Sequence, residues 1–314
     1  MVKARLSLLA ALGVAACGID LPEEALLEGP RVLAVRIVPE ESEDARPSAA
    51  LAPGTPASTE TLIVDDLGPH DPSSMSALWV ACPLGAGRPA FSCLQEAVPV
   101  DRDALPACPE GDDPTQPLPA PCILSEAIEP NFTVPAFEEA LSGARLELTL
   151  VLALDSHDDV DACADALFRG DYDTPEGCIY TSYALTLTGL EQPGNRHPAP
   201  GVITASAGGE PVDLVSGTTF SVPQGQNVTL AYVPTNEDTE SYEVPVNNGT
   251  SFQTLVEEPS ARWFRTGGEF VADGPLAFTG DVEVALPDEG IRVYAVLRDG
   301  RGGVGWWWAD LVPE

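Results

Sequence analysis

Apolar and polar positions alternate in several runs of this chain, and that period predicts β-strands. The clearest run is Arg145 to Asp155, in which every second residue is a leucine. In a strand these leucines share one face, whereas helical spacing would spread them around the axis. Ile179 to Leu187 repeats the pattern. We therefore predict two half-buried strands here.

Shorter β-rich runs occur along the rest of the chain. They are Arg31 to Val38, Thr61 to Val64, Ala77 to Ala81, Asn227 to Val233, Ser241 to Val246, Ala261 to Arg265, Val282 to Leu286, Arg292 to Arg298 and Val304 to Leu311. The Asp299-Gly300 step between the last two runs predicts a tight hairpin, because glycine accepts the positive φ of such turns. One short helix is predicted near Ala136 to Leu141.

Many short strands separated by turn residues predict an all-β fold of two antiparallel β-sandwich domains. The first domain is placed at 31–189, with a cysteine-rich, proline-rich insertion at 82–135 that the pattern leaves without regular structure. Residues 190–201 have the composition of a linker, and 202–314 form the second domain.

The charge of the chain excludes one class of partner. Among 314 residues, 49 are acidic and 15 are basic, which gives a formal charge of −34. Nucleic acid is bound through Lys and Arg contacts to phosphate, and this chain has few to offer. We therefore expect no nucleic-acid partner.

The N-terminus carries a targeting pattern. Lys3 and Arg5 precede a short apolar run at 6–14, which is too short to span a bilayer as a helix. The run ends in Val14-Ala15-Ala16-Cys17, which resembles the lipobox of bacterial lipoproteins. The alternative is an ordinary signal peptide in which the cysteine is incidental.

The lipobox resemblance implies that residues 1–16 are a signal peptide and that the Cys17 thiol receives a diacylglyceryl group. Residues 17–30 then form an acidic tether, and the formal charge changes from −34 to −36 with the loss of Lys3 and Arg5. Gly18 stands where many inner-membrane lipoproteins carry an aspartate. We therefore expect anchoring in the bacterial outer membrane, on its periplasmic or surface face.

The remaining cysteines predict disulfides, because an even number in an exported chain favours pairing. They are Cys82, Cys93, Cys108, Cys122, Cys163 and Cys178. Sequence does not choose among the pairings, except that Cys163 and Cys178 are expected to pair with each other. A zinc site is disfavoured, since the cysteines lack close ligand spacing and the chain has 3 histidines.

A second resemblance concerns the fold. Trp263 followed by Gly267-Gly268-Glu269-Phe270, a loop and then Val293 to Gly303 is similar to the closing strands of PKD-like and other bacterial immunoglobulin-like domains. Pro30 to Leu33 and Trp79 to Pro83 look like segments of uncharacterised proteobacterial lipoproteins. The resemblance implies immunoglobulin-like sandwiches and brings no catalytic residues with it.

An acidic cluster is a candidate calcium site. Asp155, Asp158, Asp159 and Asp161 could supply oxygen ligands, which Ca²⁺ requires in number. The alternative is a solvated loop, because clustered carboxylates are expected by chance in so acidic a chain. No other cofactor is expected.

Three consecutive tryptophans, Trp306, Trp307 and Trp308, form a candidate binding site. In a strand, Trp306 and Trp308 share one face and Trp307 takes the other. Stacking on a sugar or a partner protein is one interpretation. The other is that two rings enter the core while one covers the sheet edge.

These features predict a lipid-anchored, non-enzymatic binding, adhesion or envelope-assembly module, with an unknown envelope protein or glycan as partner. The sequence has no Gly-x-Ser-x-Gly elbow, and His70, His157 and His197 are isolated, the last in the linker. Two alternatives remain open: a polysaccharide hydrolase that uses a carboxylate pair, and a calcium-stiffened spacer.

Overall fold

The computed structural model describes the parts of the chain from which the fold is built. These are residues 25–40, 42, 46–71, 75–84, 91, 94, 102–109, 118–119, 121–136, 145–154, 159–170, 176–188, 195–199, 201–235, 239–246, 251–271 and 281–314. Among them, no helix has the length and apolar character needed to cross a bilayer.

Strands dominate both halves of the chain. The first half contains β1 (Arg31–Pro39), β2 (Ala50–Leu51), β3 (Pro56–Asp65), β4 (Gly68–Pro69), β5 (Ser76–Leu84), β6 (Cys122–Ser125), β7 (Asn131–Thr133), β8 (Arg145–Ala153), α1 (Val160–Arg169) and β9 (Cys178–Leu187). The second half contains β10 (Val202–Ser206), β11 (Val212–Leu214), β12 (Thr218–Val222), β13 (Val228–Val233), β14 (Ser241–Val246), β15 (Ser251–Val256), β16 (Ser260–Arg265), β17 (Glu269–Phe270), β18 (Val282–Ala285), β19 (Ile291–Arg298) and β20 (Val304–Pro313).

The first domain packs two sheets face to face. One has the strand order β2-β9-β8-β5-β6, and the other is β1-β3-β4 with β7 paired to β3. The pairs are antiparallel except β2 with β9. The even-numbered leucines of β8 point into the core between the sheets, together with Trp79 and Ile37. The alternating pattern therefore predicted this face correctly.

The prediction that β8 is only half-buried is wrong. Val151 and Ala153, on its other face, pack against Cys163 and Phe168 of α1. This helix replaces the acidic loop expected in this part of the sequence. Helix α1 begins because the Asp159 side chain accepts hydrogen bonds from the backbone N–H groups of the first turn, and it ends at a left-handed glycine. Both faces of the central strand are thereby buried.

Disulfides tie the irregular part of the first domain. Cys163 pairs with Cys178, as predicted, and links α1 to the start of β9. Cys108 pairs with Cys122 at the start of β6, and Cys82 is also disulfide-bonded. Cys17 and Cys93 lie outside the described residues. The predicted insertion at 82–135 is thus partly regular, since it contributes β6 and β7.

The second domain is a sandwich with a simpler core. Its sheets have the orders β11-β10-β13-β18-β17 and β12-β20-β19-β16, while β14 and β15 form a separate hairpin. The pair β12–β20 is parallel. The predicted hairpin joins β19 to β20 with Arg298 opposite Val304, and Gly300 takes a φ of 78°. The predicted fold class, all-β with two mainly antiparallel β-sandwiches and disulfides in the first, is confirmed by these sheets.

Two further expectations concern segments between the strands. The helix expected near Ala136 to Leu141 falls, apart from Ala136, outside the described residues. The tether was predicted to extend to residue 30, but the chain is already part of the fold at Ala25. Ala25 and Leu27 are buried, and their backbones pair with Arg265 of β16 through two hydrogen bonds of 2.9 Å. Apolar burial and strand pairing therefore fix the chain before it enters β1.

Candidate functional site

The tryptophan triplet lies in β20, where the two sandwiches meet. Trp307 points into the second domain, is 1% exposed, and packs edge-on against Trp263 with ring centroids 6.3 Å apart. Trp306 and Trp308 take the opposite face and pack, half-buried, against the first domain's core. The alternation was predicted correctly. The interpretation that two rings enter the core while one covers the sheet edge is wrong, because Trp307 is the one fully buried ring of the three. Trp307 is also too enclosed to stack on a ligand.

Arginines cover the two half-buried rings. The guanidinium of Arg36 lies 4.7 Å from the ring centroid of Trp306, and that of Arg292 lies 4.3 Å from that of Trp308. Cation–π attraction of this kind is worth about 0.5–1 kcal/mol at exposed sites and more when desolvated. Arg292 also donates to both oxygens of Asp310, at 2.7 and 3.0 Å. These bonds raise the pKa of Arg292.

The apolar core continues from one domain to the other. Phe264, Tyr294, Val296 and Val304 of the second domain belong to the same buried cluster as the leucines of β8. They lie on the faces of β16, β19 and β20 that look away from Trp307. An interface that is buried and apolar opposes the free motion expected by default between domains. We call this interface, with the polar groups at its edge described next, the domain seam.

His197 lies inside the domain seam. It was expected at a loop position in the linker, but it is 1% exposed. Its Nδ1 accepts a hydrogen bond of 3.0 Å from the Val304 backbone N–H, so its Nε2 carries the proton and donates to the Ile37 carbonyl at 2.8 Å. Burial lowers the pKa of His197 to about 4. The neutral ring therefore joins the two sandwiches by one bond to each.

The turn between β19 and β20 is fixed by Asp299. One carboxylate oxygen accepts from the backbone N–H groups of Arg301 and Gly303, at 2.7 and 2.9 Å. The other accepts from the Asn195 side chain at 2.7 Å. Asp299 is 6% exposed. A buried carboxylate is tolerated here because donors surround it. The turn is thereby fastened to the segment that joins the domains.

Arg301 links the β14–β15 hairpin to the turn between β19 and β20. Its guanidinium donates to Glu257 at 2.6 Å and lies 4.3 Å from the ring centroid of Tyr242. Glu257 is 3% exposed, and burial raises its pKa despite the bond from Arg301. Glu240 lies 3.8 Å from Arg301 and 3.9 Å from Arg196. The residues of this group are far apart in sequence, and no local pattern predicted their meeting.

A cavity of about 340 Å³ lies beside the turn, between β8 and β9 of the first domain and the end of β19. Glu147, Ser182, Tyr183 and Arg298 contribute to its walls. The Tyr183 hydroxyl donates to the Gly302 carbonyl at 3.0 Å, which holds the turn against β9. Burial raises the pKa of Tyr183, so the phenol stays a donor.

A second cavity, of about 390 Å³, lies within the first domain. Cys108, Ile123, Phe132 and the exposed Glu40 line it, beside the disulfide to Cys122. Glu40 is the carboxylate of this wall, and Glu147 that of the first cavity. Among the described residues that line them, neither cavity therefore has the pair of carboxylates that glycoside hydrolysis uses.

Two of the four candidate calcium ligands, Asp159 and Asp161, have structural roles. Asp159 caps α1, accepting from the N–H groups of Asp161 and Ala162 at 3.1 Å. Asp161 forms an ion pair with Arg102. Asp155 and Asp158 lie outside the described residues. Within the described ranges, no group of three or more histidine, cysteine or acidic side chains could hold a metal ion.

Comparison with known proteins adds little. No family model matches the chain, and no curated protein matches it. Solved structures that match include tandem Ig repeats of Dlar, at 12% identity over 89% of this chain and 97% of that one, with a TM-score of 0.21. E. coli alpha-2-macroglobulin matches at 14% identity over 90% of this chain and 17% of its own, with a TM-score of 0.23. The fold of this chain is defined by its own sheets.

Proposed function

We propose that this chain is a lipid-anchored bacterial envelope protein, acylated at Cys17, whose two sandwiches form one rigid, non-enzymatic binding or assembly module. The domain seam is the observation that carries the proposal. A continuous core, His197 and the Asp299 turn all join the sandwiches, so any binding surface spanning them is preorganised. Preorganisation raises affinity because less conformational freedom is lost on binding.

The path of the N-terminal chain supports a membrane-proximal position. Ala25 is already bound to β16, so eight residue steps separate the folded body from Cys17. A fully extended chain of that length reaches about 28 Å. Lipid attached at Cys17 would hold the module this close to the bilayer, while the excess of acidic residues would keep it off anionic headgroups.

The anchoring half of the proposal is tested by metabolic labelling with an alkyne-tagged fatty acid and by detergent phase partitioning in a bacterial host. The unaltered chain is expected to be labelled and to enter the detergent phase. Cys17→Ser is expected to lose both properties, while the neighbouring Gly18→Ala, which keeps the thiol, retains them. Labelling of Cys17→Ser at the level of the unaltered chain would overturn the anchor.

The assembly half is tested by crosslinking in the native envelope. An anchored protein with an intact seam is expected to give one reproducible crosslinked partner. Replacing Arg301 by Gln at the seam is expected to reduce that product, and Arg169→Gln, at the exposed end of α1, to leave it unchanged. Equal yields from both variants would contradict a role for the seam in assembly.

A further inference from the structure

The β14–β15 hairpin stands apart from both cores. It forms a separate two-stranded sheet, and none of its described side chains belongs to a buried cluster of either sandwich. Arg301 holds the base of the hairpin through Tyr242 and Glu257. A hairpin of two strands is only marginally stable in water by itself, so a further strand along one edge would stabilise it.

The free edge of β15 presents backbone hydrogen-bonding groups at every second residue. The Glu257 N–H donates to the Glu240 carbonyl at 2.9 Å, which makes these two a hydrogen-bonded pair of the ladder. Such pairs alternate with non-hydrogen-bonded pairs along antiparallel strands. Phe252, Thr254 and Val256 therefore belong to non-hydrogen-bonded pairs with β14. Their N–H and C=O groups point away from β14, and no other described strand pairs with them.

The two edges of the hairpin are protected to different degrees. In β14, Glu243 is charged, and Pro245 has no backbone N–H to donate. Charged residues and proline are the usual protection of an edge strand against pairing with another chain. The sequence of β15, Ser-Phe-Gln-Thr-Leu-Val, contains neither. The edge of β15 is therefore the one open to strand addition.

The residues that open this edge also form a self-complementary pattern. Phe252 is 65% exposed and Val256 is 59% exposed, and both share one face of β15 with Thr254. If two β15 strands pair antiparallel around Thr254, Phe252 of each copy faces Val256 of the other. Aromatic–β-branched and threonine–threonine pairs stabilise antiparallel strands. Glu257 would face Ser251, so this register places no like charges opposite each other.

We propose that the edge of β15 joins two copies of this chain about a twofold axis at Thr254, so that their hairpins form one continuous sheet. Each facing pair of residues exchanges two backbone hydrogen bonds, because both copies direct these groups to the edge. An interface of this kind is isologous and closes at two copies. An uncharged strand matches a second uncharged strand, whereas a basic partner would be attracted to the acidic surface elsewhere. The inference does not depend on the proposed lipid anchor.

Disulfide trapping tests the register of the pairing. It uses the purified full chain with Cys17→Ser, so that neither acylation nor the Cys17 thiol links the copies. Thr254→Cys places two thiols at the twofold axis, where facing Cα atoms lie about 5.5 Å apart, within the reach of a disulfide. Mild oxidation is expected to convert most of this variant to a covalent dimer on a non-reducing gel.

Two further cysteine variants are the controls for trapping. Phe252→Cys places its two thiols about 14 Å apart along the paired strands, and it is not expected to crosslink. Thr229→Cys lies on the exposed face of β13, a strand that is paired along both edges, and it is not expected to crosslink either. Crosslinking of all three variants to the same extent would contradict the proposed register.

Sedimentation equilibrium measures the dimer of the same Cys17→Ser chain without a crosslink. Thr254→Pro removes an N–H that points outward and keeps the pairing with β14. It is expected to raise the dissociation constant of the dimer at least about tenfold, because two interchain hydrogen bonds are lost. Phe252→Asp is expected to weaken the dimer in the same direction. Val215→Asp, at a valine that is 70% exposed outside the hairpin, should leave it unchanged.

The exposure of Phe252 keeps the test decisive. If Thr254→Pro unfolds the hairpin, as circular dichroism would show, Phe252→Asp decides the outcome. A chain that is monomeric at all concentrations and is not trapped through Thr254→Cys would overturn the proposal. A dimer that Phe252→Asp leaves unchanged would place the interface elsewhere and overturn it too. Trapping of Thr254→Cys in cells on a different protein alone would assign the edge to that partner instead.

Discussion

The two sandwiches are stabilised in different ways. The first has disulfides and a sheet buried on both faces, with α1 covering β8 on one side. The second domain, residues 202–314, has no cysteine, and its core is built around the edge-on pair of Trp263 and Trp307. A sandwich with long connections between its strands loses more chain entropy on folding, and crosslinks offset part of that loss.

The domain seam differs from both. It combines shared apolar packing with bonds from His197, Asn195 and Asp299, each of which bridges segments far apart in sequence. Polar bonds of this kind are directional, so they fix an orientation as well as adding stability. The molecule is therefore stabilised in three ways: by disulfides in the first domain, by the tryptophan pair in the second and by polar bonds at the domain seam. Substitutions can remove each of them separately.

Removing the buried tryptophan pair of the second domain is expected to have the largest effect on the free energy of unfolding. Trp307→Ala should lower the free energy of unfolding by about 3–5 kcal/mol, because it leaves a cavity beside Trp263. Trp306→Ala, on the half-buried face, is the matched control and should cost less. Urea titration followed by circular dichroism measures both. Equal losses would show that Trp307 does not anchor the second core.

Removing a disulfide of the first domain is expected to have the second-largest effect. The bridge between Cys163 and Cys178 spans 15 residues of sequence. The double variant Cys163→Ser/Cys178→Ser should lower the free energy of unfolding by about 3 kcal/mol, as expected for a loop of that length. Hydrogen exchange should show the greatest loss of protection in α1. Unchanged protection there would contradict a stabilising role for the bridge.

The stabilisation by His197 at the domain seam is expected to depend on pH. His197 is neutral when folded, with a pKa of about 4, against 6.5 for the free side chain. Between these values the unfolded chain binds a proton that the folded chain does not. The contribution of neutral His197 to the free energy of unfolding is therefore fully present above pH 6.5. It decreases as the pH falls and is completely lost below pH 4. The shift corresponds to up to about 3 kcal/mol.

Urea titrations between pH 7 and pH 4 test this prediction. His197→Gln should remove the part of the pH dependence that falls in that window. His70→Gln is the control, since that residue lies in the first domain beside Asp65. Identical pH profiles for the unaltered chain and His197→Gln would contradict the assignment.

Much of the fold followed from local pattern. The leucine alternation of β8, the Asp-Gly hairpin and the Cys163–Cys178 pair each depend on residues close in sequence. Helix α1 was missed although its signals were present: Asp159 as a cap, apolar residues at Cys163, Leu167 and Phe168, and Gly170 at its end. The acidity of the surrounding segment favoured a loop and obscured the helix.

The seam and its cavity could not be predicted in the same way. His197 stands among prolines, and the composition there indicated a loop position in a linker. It is buried because Ile37 and Val304, 160 and 107 residues away in sequence, meet around it. Glu147 occupies a polar position in an alternating strand, which normally indicates a solvated face. Only the packing of the turn and neighbouring segments over that face reveals a buried carboxylate.

The central claim is that the two sandwiches act as one rigid body, and differential scanning calorimetry tests it most directly. The account predicts a single heat-absorption peak for the full chain, with calorimetric and van't Hoff enthalpies that agree. The double cysteine variant should move the whole peak to lower temperature. Two resolved peaks, of which only one moves in that variant, would contradict the claim.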